Sequence, residues 1–274
     1  VLRQHTREEF IGFGINIAYP AVNNEFFKKE SNMAGKPFGI DVSRWQGSIN
    51  WDAVAINEKK VLFSGIRATI SWGYVDSWFN RNWSEAKRVG IARAAYHVLY
   101  PGVSAKKQID NFLKVVGDDL GEFPLVLDVE LTHNKSPQEI TNSILQCSSI
   151  IEAKTDRKPI IYSRASFIDK FVTGNRSPGA WLNQYDWWLA HYLRSGKEHA
   201  GPPALPKGVS RNRCIIHQTS PSGESFGMQS KTLDYNRWQF DLNHYNAYVK
   251  RTKTLTMAEK IELLWNAHPE LHPK

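Results

Sequence analysis

Short apolar segments alternate with helical segments from residue 36 to about residue 248, and this repetition restricts the fold more than any other feature. Strand, helix and strand units with short connections are typical of a parallel sheet, because each crossover returns the chain to the same end of the sheet. Eight strand candidates in one series favour closure of that sheet into a barrel. The candidates read "FGIDVSRW", "VLFSGIRATI", "ARAAYHVLY", "FPLVLDVEL", "KPIIYSR", "WWLAHY", "RCIIHQTS" and "KTLDYN".

Helices are predicted between the early strands and become scarce after the fifth. The candidates span residues 50–59, 82–89, 104–116 and 137–154. In the last of them Ser136 is an N-cap, Pro137 takes the first helical position and Glu139 completes a capping box. Residues 173–186 and 195–211 are rich in Gly, Pro, Asn and Ser, so we expect loops there. The predicted fold class is α/β, an irregular (β/α) barrel of the TIM type with eight strands and few helices in its second half.

The length of 274 residues suits one large barrel domain with extensions. We predict an N-terminal extension or linker over residues 1–35, the barrel with its candidate site over 36–250, and an amphipathic helix and tail over 251–274. The helix is predicted from "TLTMAEKIELLWNAH", whose apolar residues fall on one stripe. Packing against the barrel is the simpler interpretation of this helix, and partner binding is the alternative.

Composition and charge exclude several classes of protein. With 41% hydrophobic residues the chain can bury a large core, but no apolar run approaches the roughly 18 residues that cross a bilayer, so no membrane insertion is predicted. A net charge of +8 favours polyanionic partners such as anionic cell-wall polymers. The basic residues are scattered and form no nucleic-acid motif, so no nucleic-acid partner is predicted. Cys147 and Cys214 show no CxxC or metal spacing and are expected to be free thiols.

Two acids follow the apolar run of the fourth strand candidate, "FPLVLDVEL". Residues two apart in a strand face the same way, so Val126, Asp128 and Glu130 share one face. If that face looks into a barrel, both acids lie at the strand tip where barrel enzymes place their chemistry. Two buried acids raise each other's pKa, and a carboxyl that stays protonated near neutral pH can act as a general acid. The alternative is a pair of salt bridges at the barrel rim.

Further acids lie at other predicted strand tips. Asp41 ends the first strand candidate, and Asp234 and Asn236 end the last. In a closed barrel the first and last strands are neighbours and the fourth faces the eighth across the lumen. We therefore expect Asp41, Asp128, Glu130 and Asp234 to converge on one mouth. Glycoside hydrolysis requires such an arrangement, since one carboxyl protonates the leaving oxygen while another stabilises or attacks the developing cation.

Aromatic and polar side chains are predicted at the same strand ends. Flat rings and hydrogen-bonding groups at one barrel mouth favour a carbohydrate groove, although each residue alone could equally belong to the core. No HxH or HExxH spacing is present, so neither a metal nor another cofactor is predicted. The candidate substrate-binding residues are Trp45, Arg67, Tyr96, His97, Tyr162, Trp188, Tyr192, His217, Gln218 and Asn236.

An ordered set of blocks between residues 37 and about 238 resembles glycoside hydrolase family 25, the Chalaropsis-type lysozymes. The blocks are "GIDVSRWQGSINWDAV", "IRATISWGYVDSWFNRNWSEAKRVGI", "AAYHVLYP", "FPLVLDVE", "PIIYSR", "WWLAHY", "IIHQTS" and "LDYNRW". Any one block would be weak, whereas the whole set in order is specific. Two departures are visible: no Trp precedes the Gln of "HQTS", and Trp72 and Tyr74 are additional aromatic residues after the second strand.

The resemblance implies an irregular β/α barrel that cleaves the β-1,4 bond between N-acetylmuramic acid and N-acetylglucosamine of peptidoglycan with net retention. It implies that Glu130 is the general acid and that Asp128 either stabilises the developing charge or orients the substrate's acetamido group. Asp41 and Asp234 match the other two active-site acids of the family. The nucleophile stays open between a carboxylate, the acetamido oxygen and water.

The implied partner is cell-wall peptidoglycan, reached after secretion, after phage release or as part of a larger virion or secreted assembly. An alternative from another class is a barrel that binds peptidoglycan without cutting it, in a phage tail or secretion assembly. A third possibility is another glycosidase, such as a chitinase-like enzyme.

Overall fold

A closed ring of eight strands forms the centre of this computed structural model, which describes residues 35–252 except 175, 193–197, 199 and 200. The ring runs β1-β2-β4-β5-β6-β7-β8-β9 and closes through pairing of β9 with β1, and β3 pairs with the last two residues of β2, Thr69 and Ile70. The predicted eight-stranded barrel is confirmed. The strands are β1 (Phe38–Val42), β2 (Val61–Ile70), β3 (Tyr74–Val75), β4 (Ala92–Val98), β5 (Val126–Asp128), β6 (Ile160–Ser163), β7 (Trp187–Ala190), β8 (Cys214–Glu224) and β9 (Thr232–Trp238).

The last strand runs against its neighbours, so the parallel pairing predicted from the strand and helix series does not extend to β9. It pairs antiparallel with both β8 and β1. The chain between β8 and β9 is too short for a crossover helix, and only antiparallel strands can be joined by such a short loop. The start of β9, not its end, therefore lies at the mouth, where Asp234 pairs in register with Asp41.

Helices follow the predicted uneven distribution. In the second half a 3-10 turn over Ala180–Gln184 stands where a TIM barrel would have a helix, and a π turn over Ile168–Val172 extends a one-turn helix. Ser136 and Glu139 form the predicted capping box at the start of the longest helix. The helices are α1 (Trp51–Ala55), α2 (Phe79–Arg88), α3 (Ala105–Val116), α4 (Pro137–Thr155), α5 (Ala165–Phe167) and α6 (Leu242–Thr252).

Alternate residues of each strand divide the apolar core into two parts. On β5 and its flanks, Leu125, Leu127 and Val129 pack outward against the helices, whereas Val126 packs into the lumen with Trp188. Each fully buried side chain of this kind contributes about 1.5–3 kcal/mol relative to an exposed one. The alternation predicted for β5 is confirmed, and it points Asp128 into the lumen.

Helix α6 closes the end of the barrel opposite the acids. The hydroxyl of Tyr245 donates to the Leu62 carbonyl and that of Tyr248 donates to the Asp186 carboxylate, both at 2.9 Å. Both tyrosine rings also pack on Trp238 in the lumen. The sequence did not predict this helix, although the spacing of the two buried tyrosines is helical.

Four sequence predictions concern other features of the chain. Cys147 in α4 and Cys214 in β8 are buried free thiols, as expected. Among the described residues no helix is long and apolar enough to cross a membrane. The predicted N-terminal extension, apart from residue 35, and the helix predicted from residue 254 lie outside the described part of the chain.

Gly65 of β2 is required by the packing of the lumen. A methyl group at this position would lie 2.4 Å from Cη2 of Trp188 and 3.1 Å from Cβ of Asp41. Gly65→Ala should therefore lower the free energy of unfolding by about 1–3 kcal/mol, measured by urea denaturation. Gly73→Ala is the matched control, because a methyl group there meets nothing within 4 Å. Equal losses in the two variants would contradict the close packing of Trp188 over Gly65.

Candidate active site

A cavity of about 490 Å³ opens at the mouth of the barrel and brings together most of the residues predicted from the sequence. It lies where β1 and β5 end and β9 begins, so strand direction alone explains why residues distant in sequence meet there. All four predicted acids line it. The predicted residues in its wall are Asp41, Trp45, Arg67, Tyr96, Asp128, Glu130, Tyr162, Trp188, Tyr192, Gln218 and Asp234.

Two predicted substrate-binding histidines do not reach this cavity. His97 is fully buried between β4 and α3, where its Nδ1 lies 2.7 Å from Thr69 Oγ1 and its Nε2 lies 3.3 Å from Gln108 Oε1. Burial lowers the pKa of His97 to about 4, so the ring is neutral. His217 is also fully buried, and its Nε2 donates to the carbonyl of His191 at 2.6 Å. Each histidine precedes or follows an inward-facing residue in a strand, so it must face outward.

Asp41 is held by two side-chain amides whose own orientation is fixed. Gln218 Nε2 and Asn236 Nδ2 each donate to Asp41 Oδ2 at 2.8 Å. The Tyr162 hydroxyl donates to Gln218 Oε1 at 2.8 Å, and Trp188 Nε1 donates to Asn236 Oδ1 at 2.7 Å. These aromatic donors force each amide to turn its NH₂ group toward Asp41. Asn236 was predicted to bind substrate, but it is fully buried and is not among the residues that line the cavity. It orients Asp41 from behind the cavity wall.

Asp41 and Asp234 face each other across the β1–β9 pair and share a hydrogen bond. Burial raises the pKa of Asp41, while the hydrogen bonds from Asn236 and Gln218 oppose that rise. Burial and the neighbouring charge of Asp41 raise the pKa of Asp234 to about 9. Since only Asp41 receives two amide donors, Asp41 is the ionised member of the pair and Asp234 holds the proton.

Asp128 and Glu130 form the second acid pair. Burial, followed by the charges of Glu130 and Asp41, raises the pKa of Asp128 well above its ordinary value. Burial also raises the pKa of Glu130, but the charge of Arg164 and a hydrogen bond from Asp128 lower it. Arg164 Nη2 lies 3.6 Å from Glu130 Oε2. Burial therefore favours the protonated form of both carboxyls, and more strongly that of the more deeply buried Asp128.

A buried acid that the sequence analysis missed positions Arg67. Asp76 Oδ2 accepts from Arg67 Nε at 2.8 Å and from the Arg44 backbone N–H at 3.0 Å, and the Asp76 side chain is fully buried. Arg67 then presents its charge to the cavity, where it lowers the pKa of Asp128. Arg164 was missed as well. Arg164 directly follows β6 and lies two residues after Tyr162. Residues two apart share a strand face, so this spacing could have placed Arg164 at the barrel mouth.

Exposed aromatic rings continue the cavity along the barrel mouth. Trp45 is 69% exposed and Trp72 is 62% exposed, and both line a second depression that also contains Tyr74. The two depressions share Trp45 and Arg67, so they form one continuous groove. The guanidinium of Arg44 lies 4.6 Å from the centre of the Trp45 ring. Flat exposed rings of this kind suit stacking on sugar rings.

Comparison with known proteins gives this geometry a context. The chain is 40% identical over 166 residues to the "Uncharacterized protein YegX" of Escherichia coli strain K12, covering 60% of this chain and 59% of that protein. It is 32% identical over 213 residues to "Lysozyme M1" of Streptomyces globisporus, covering 73% of this chain and 67% of the lysozyme. The chain thus spans under two thirds of the length of YegX.

A solved structure shares the fold over nearly its whole length. The bacterial lysozyme from Streptomyces coelicolor superposes with a TM-score of 0.68 at 29% identity, covering 79% of this chain and 98% of the lysozyme. Residues 40–228 match the model of the family described as "Glycosyl hydrolases family 25". These residues contain three of the four acids of the barrel mouth, Asp41, Asp128 and Glu130, and Asp234 lies six residues beyond the matched range. Because the match spans well over half of the chain, this protein belongs to glycosyl hydrolase family 25.

Proposed function

We propose that this protein hydrolyses the β-1,4 bond between N-acetylmuramic acid and N-acetylglucosamine in peptidoglycan. The observation that carries this proposal is the convergence of Asp41, Asp128, Glu130 and Asp234 on one cavity as two hydrogen-bonded pairs. Cleavage of a glycoside needs one carboxyl that protonates the leaving oxygen and a second group that stabilises the cation developing on the sugar. Likeness to two Streptomyces lysozymes supports this choice of bond.

Glu130 is the general acid in this proposal. Its side chain is 34% exposed, whereas Asp128 is only 7% exposed, so Glu130 is the member of the pair that can reach a leaving oxygen. A general acid must hold its proton near the working pH. Burial raises the pKa of Glu130, which is the direction that this role needs.

Asp128 assists through the acetamido group of the substrate. Before substrate binds, deep burial favours protonated Asp128, which donates to Glu130. An acetamido N–H that donates to Asp128 stabilises the ionised form instead, so the shared proton moves to Glu130. Binding of the substrate therefore leaves Glu130 protonated and able to act as the general acid. Ionised Asp128 then orients the acetamido oxygen toward the anomeric carbon or stabilises the developing charge directly, with net retention of configuration.

Asp41 supplies a fixed negative charge on the opposite side of the lumen. Its two amide donors hold the carboxylate in place before the reaction, so little reorganisation is needed when positive charge develops on the sugar. Protonated Asp234 donates to Asp41 and stays neutral, which spares the site a further buried charge. The substrate is cell-wall peptidoglycan, which the protein reaches by secretion, by phage release or as part of a virion or secreted assembly.

Glu130→Gln tests the acid assignment most simply. The change keeps the shape of the side chain but removes its proton, so clearing of a peptidoglycan suspension should slow by about 10²–10⁴-fold. The matched control is Glu58→Gln, which alters an exposed acid in the loop before β2, at the closed end of the barrel. Clearing by Glu130→Gln at the wild-type rate would refute the assignment. Failure of the wild type to clear the suspension would favour a barrel that binds peptidoglycan without cutting it.

The pH dependence of kcat tests the electrostatics of the site. Wild-type kcat should follow a bell centred below neutral pH, because Glu130 must be protonated while Asp41 is ionised. Arg164 lowers the pKa of Glu130, so Arg164→Met should raise that pKa and move the basic limb to higher pH. Arg88→Met removes an equal charge from the outer surface of α2 and should leave the limb in place. A flat wild-type profile from about pH 4 to 8, or an unmoved limb in Arg164→Met, would contradict the scheme.

A further inference from the structure

A third depression of about 290 Å³ adjoins the catalytic cavity and differs from it in chemistry. The two share Glu130 and Arg164, so the depression begins at the acid itself. We call it the cationic groove, and it is lined by Glu130, Arg164, Ser166, Phe167, Lys170 and Phe171.

The walls of the cationic groove are poorly suited to another sugar ring. Phe167 and Phe171 are only partly exposed and pack on each other with ring centres 5.1 Å apart and ring planes tilted by 48°, which leaves less of each ring open for stacking. The exposed tryptophans Trp45 and Trp72 lie in the other depression, which lines a different side of the mouth. The glycan chain therefore has its stacking surfaces elsewhere. The cationic groove offers charge and one hydroxyl in their place.

The charge of the groove becomes more positive in the state that carries out catalysis. Glu130 is the only acid in its lining among the described residues, and Arg164 lies 3.6 Å from it. When Glu130 is protonated, as a general acid must be, it no longer neutralises Arg164. Lys170 is exposed, with Nζ 4.8 Å from the centre of the Phe171 ring and no carboxylate of the described residues within ion-pair distance. Two cations then face one small groove.

We infer that the cationic groove binds a carboxylate of the branch that muramic acid carries, next to the bond that Glu130 cleaves. This inference rests on the proposed function, because it takes the substrate to be a muramic acid polymer. Two sources share the required chemistry: the lactyl carboxylate of bare muramic acid, and the α-carboxylate of the glutamyl residue in its peptide stem. An arginine fork and a lysine ammonium are the usual partners of such a group. Lys170 is the specificity-determining residue for it.

The test measures binding in a Glu130→Gln background, which prevents cleavage and mimics the protonated acid. Four soluble oligosaccharides are compared by calorimetry: one pair with a bare lactyl carboxylate or its amide, and one pair with an alanyl-glutamyl stem whose α-carboxylate is free or amidated. The side-chain carboxyl of the stem is capped in both members of the second pair. The free acid of one pair should bind about threefold to fivefold more tightly than its amide, the range of an exposed ion pair. The pair that shows the preference identifies the source.

Lys170→Met in the same background should reduce that preference, and Arg164, which remains, accounts for what is left of it. Lys154→Met is the matched control, since it removes one exposed lysine at the far end of α4 and should keep the preference. A purely structural role for Lys170 would weaken binding of acid and amide alike. Equal affinity for acid and amide in the parent protein, or an unchanged preference in Lys170→Met, would overturn the inference.

The outcome also separates this inference from the proposed function. A preference for the free acid in binding, combined with no cleavage by the wild type, would support the groove assignment and refute the hydrolase. Cleavage by the wild type, combined with equal binding of acid and amide, would support the hydrolase and refute the groove assignment.

Discussion

Burial of four carboxyl groups at one mouth is the constraint on which the rest of the site depends. Ionised acids this close together and this far from water would be unstable, so each pair must share protons or receive donors. The structure uses both solutions. Asp41 receives Gln218 and Asn236 as donors, while the Asp128 and Glu130 pair keeps a proton. One pair is thereby fixed as an anion with a neutral partner, and the other is left able to give a proton away.

The reversed direction of β9 makes this division possible. In a fully parallel barrel the last strand would present its end at the mouth, whereas here it presents its start, and register places Asp234 opposite Asp41. Residues directly opposite in an antiparallel pair have neighbouring side chains, so the two acids can share a proton. Gly65 leaves room for Trp188, which in turn orients Asn236. Packing of the lumen and ionisation of Asp41 are therefore parts of one arrangement.

Much of the barrel and of its candidate site could be predicted from the sequence, because the residue patterns that indicate them are local. The alternation of β5 placed Asp128 and Glu130 on one face, and the strand series predicted the closed barrel. The same alternation, applied to β4 and β8, would have removed His97 and His217 from the predicted groove. Other features depend on contacts between distant segments and leave little local trace. Three features are of this kind: the hydrogen bond from Arg67 to Asp76, the hydrogen bond from Asn236 to Asp41, and the closure of the lumen by α6.

The central claim is that the four acids cleave one particular bond in the cell wall. Mass spectrometry of the fragments released from purified peptidoglycan tests it most directly, since reduction of the new ends before analysis identifies the sugar that carries them. The account predicts disaccharide-peptides whose new reducing end is N-acetylmuramic acid, which Glu130→Gln releases far more slowly than the wild type. New ends on N-acetylglucosamine, or no released fragments at all from the wild type, would contradict it.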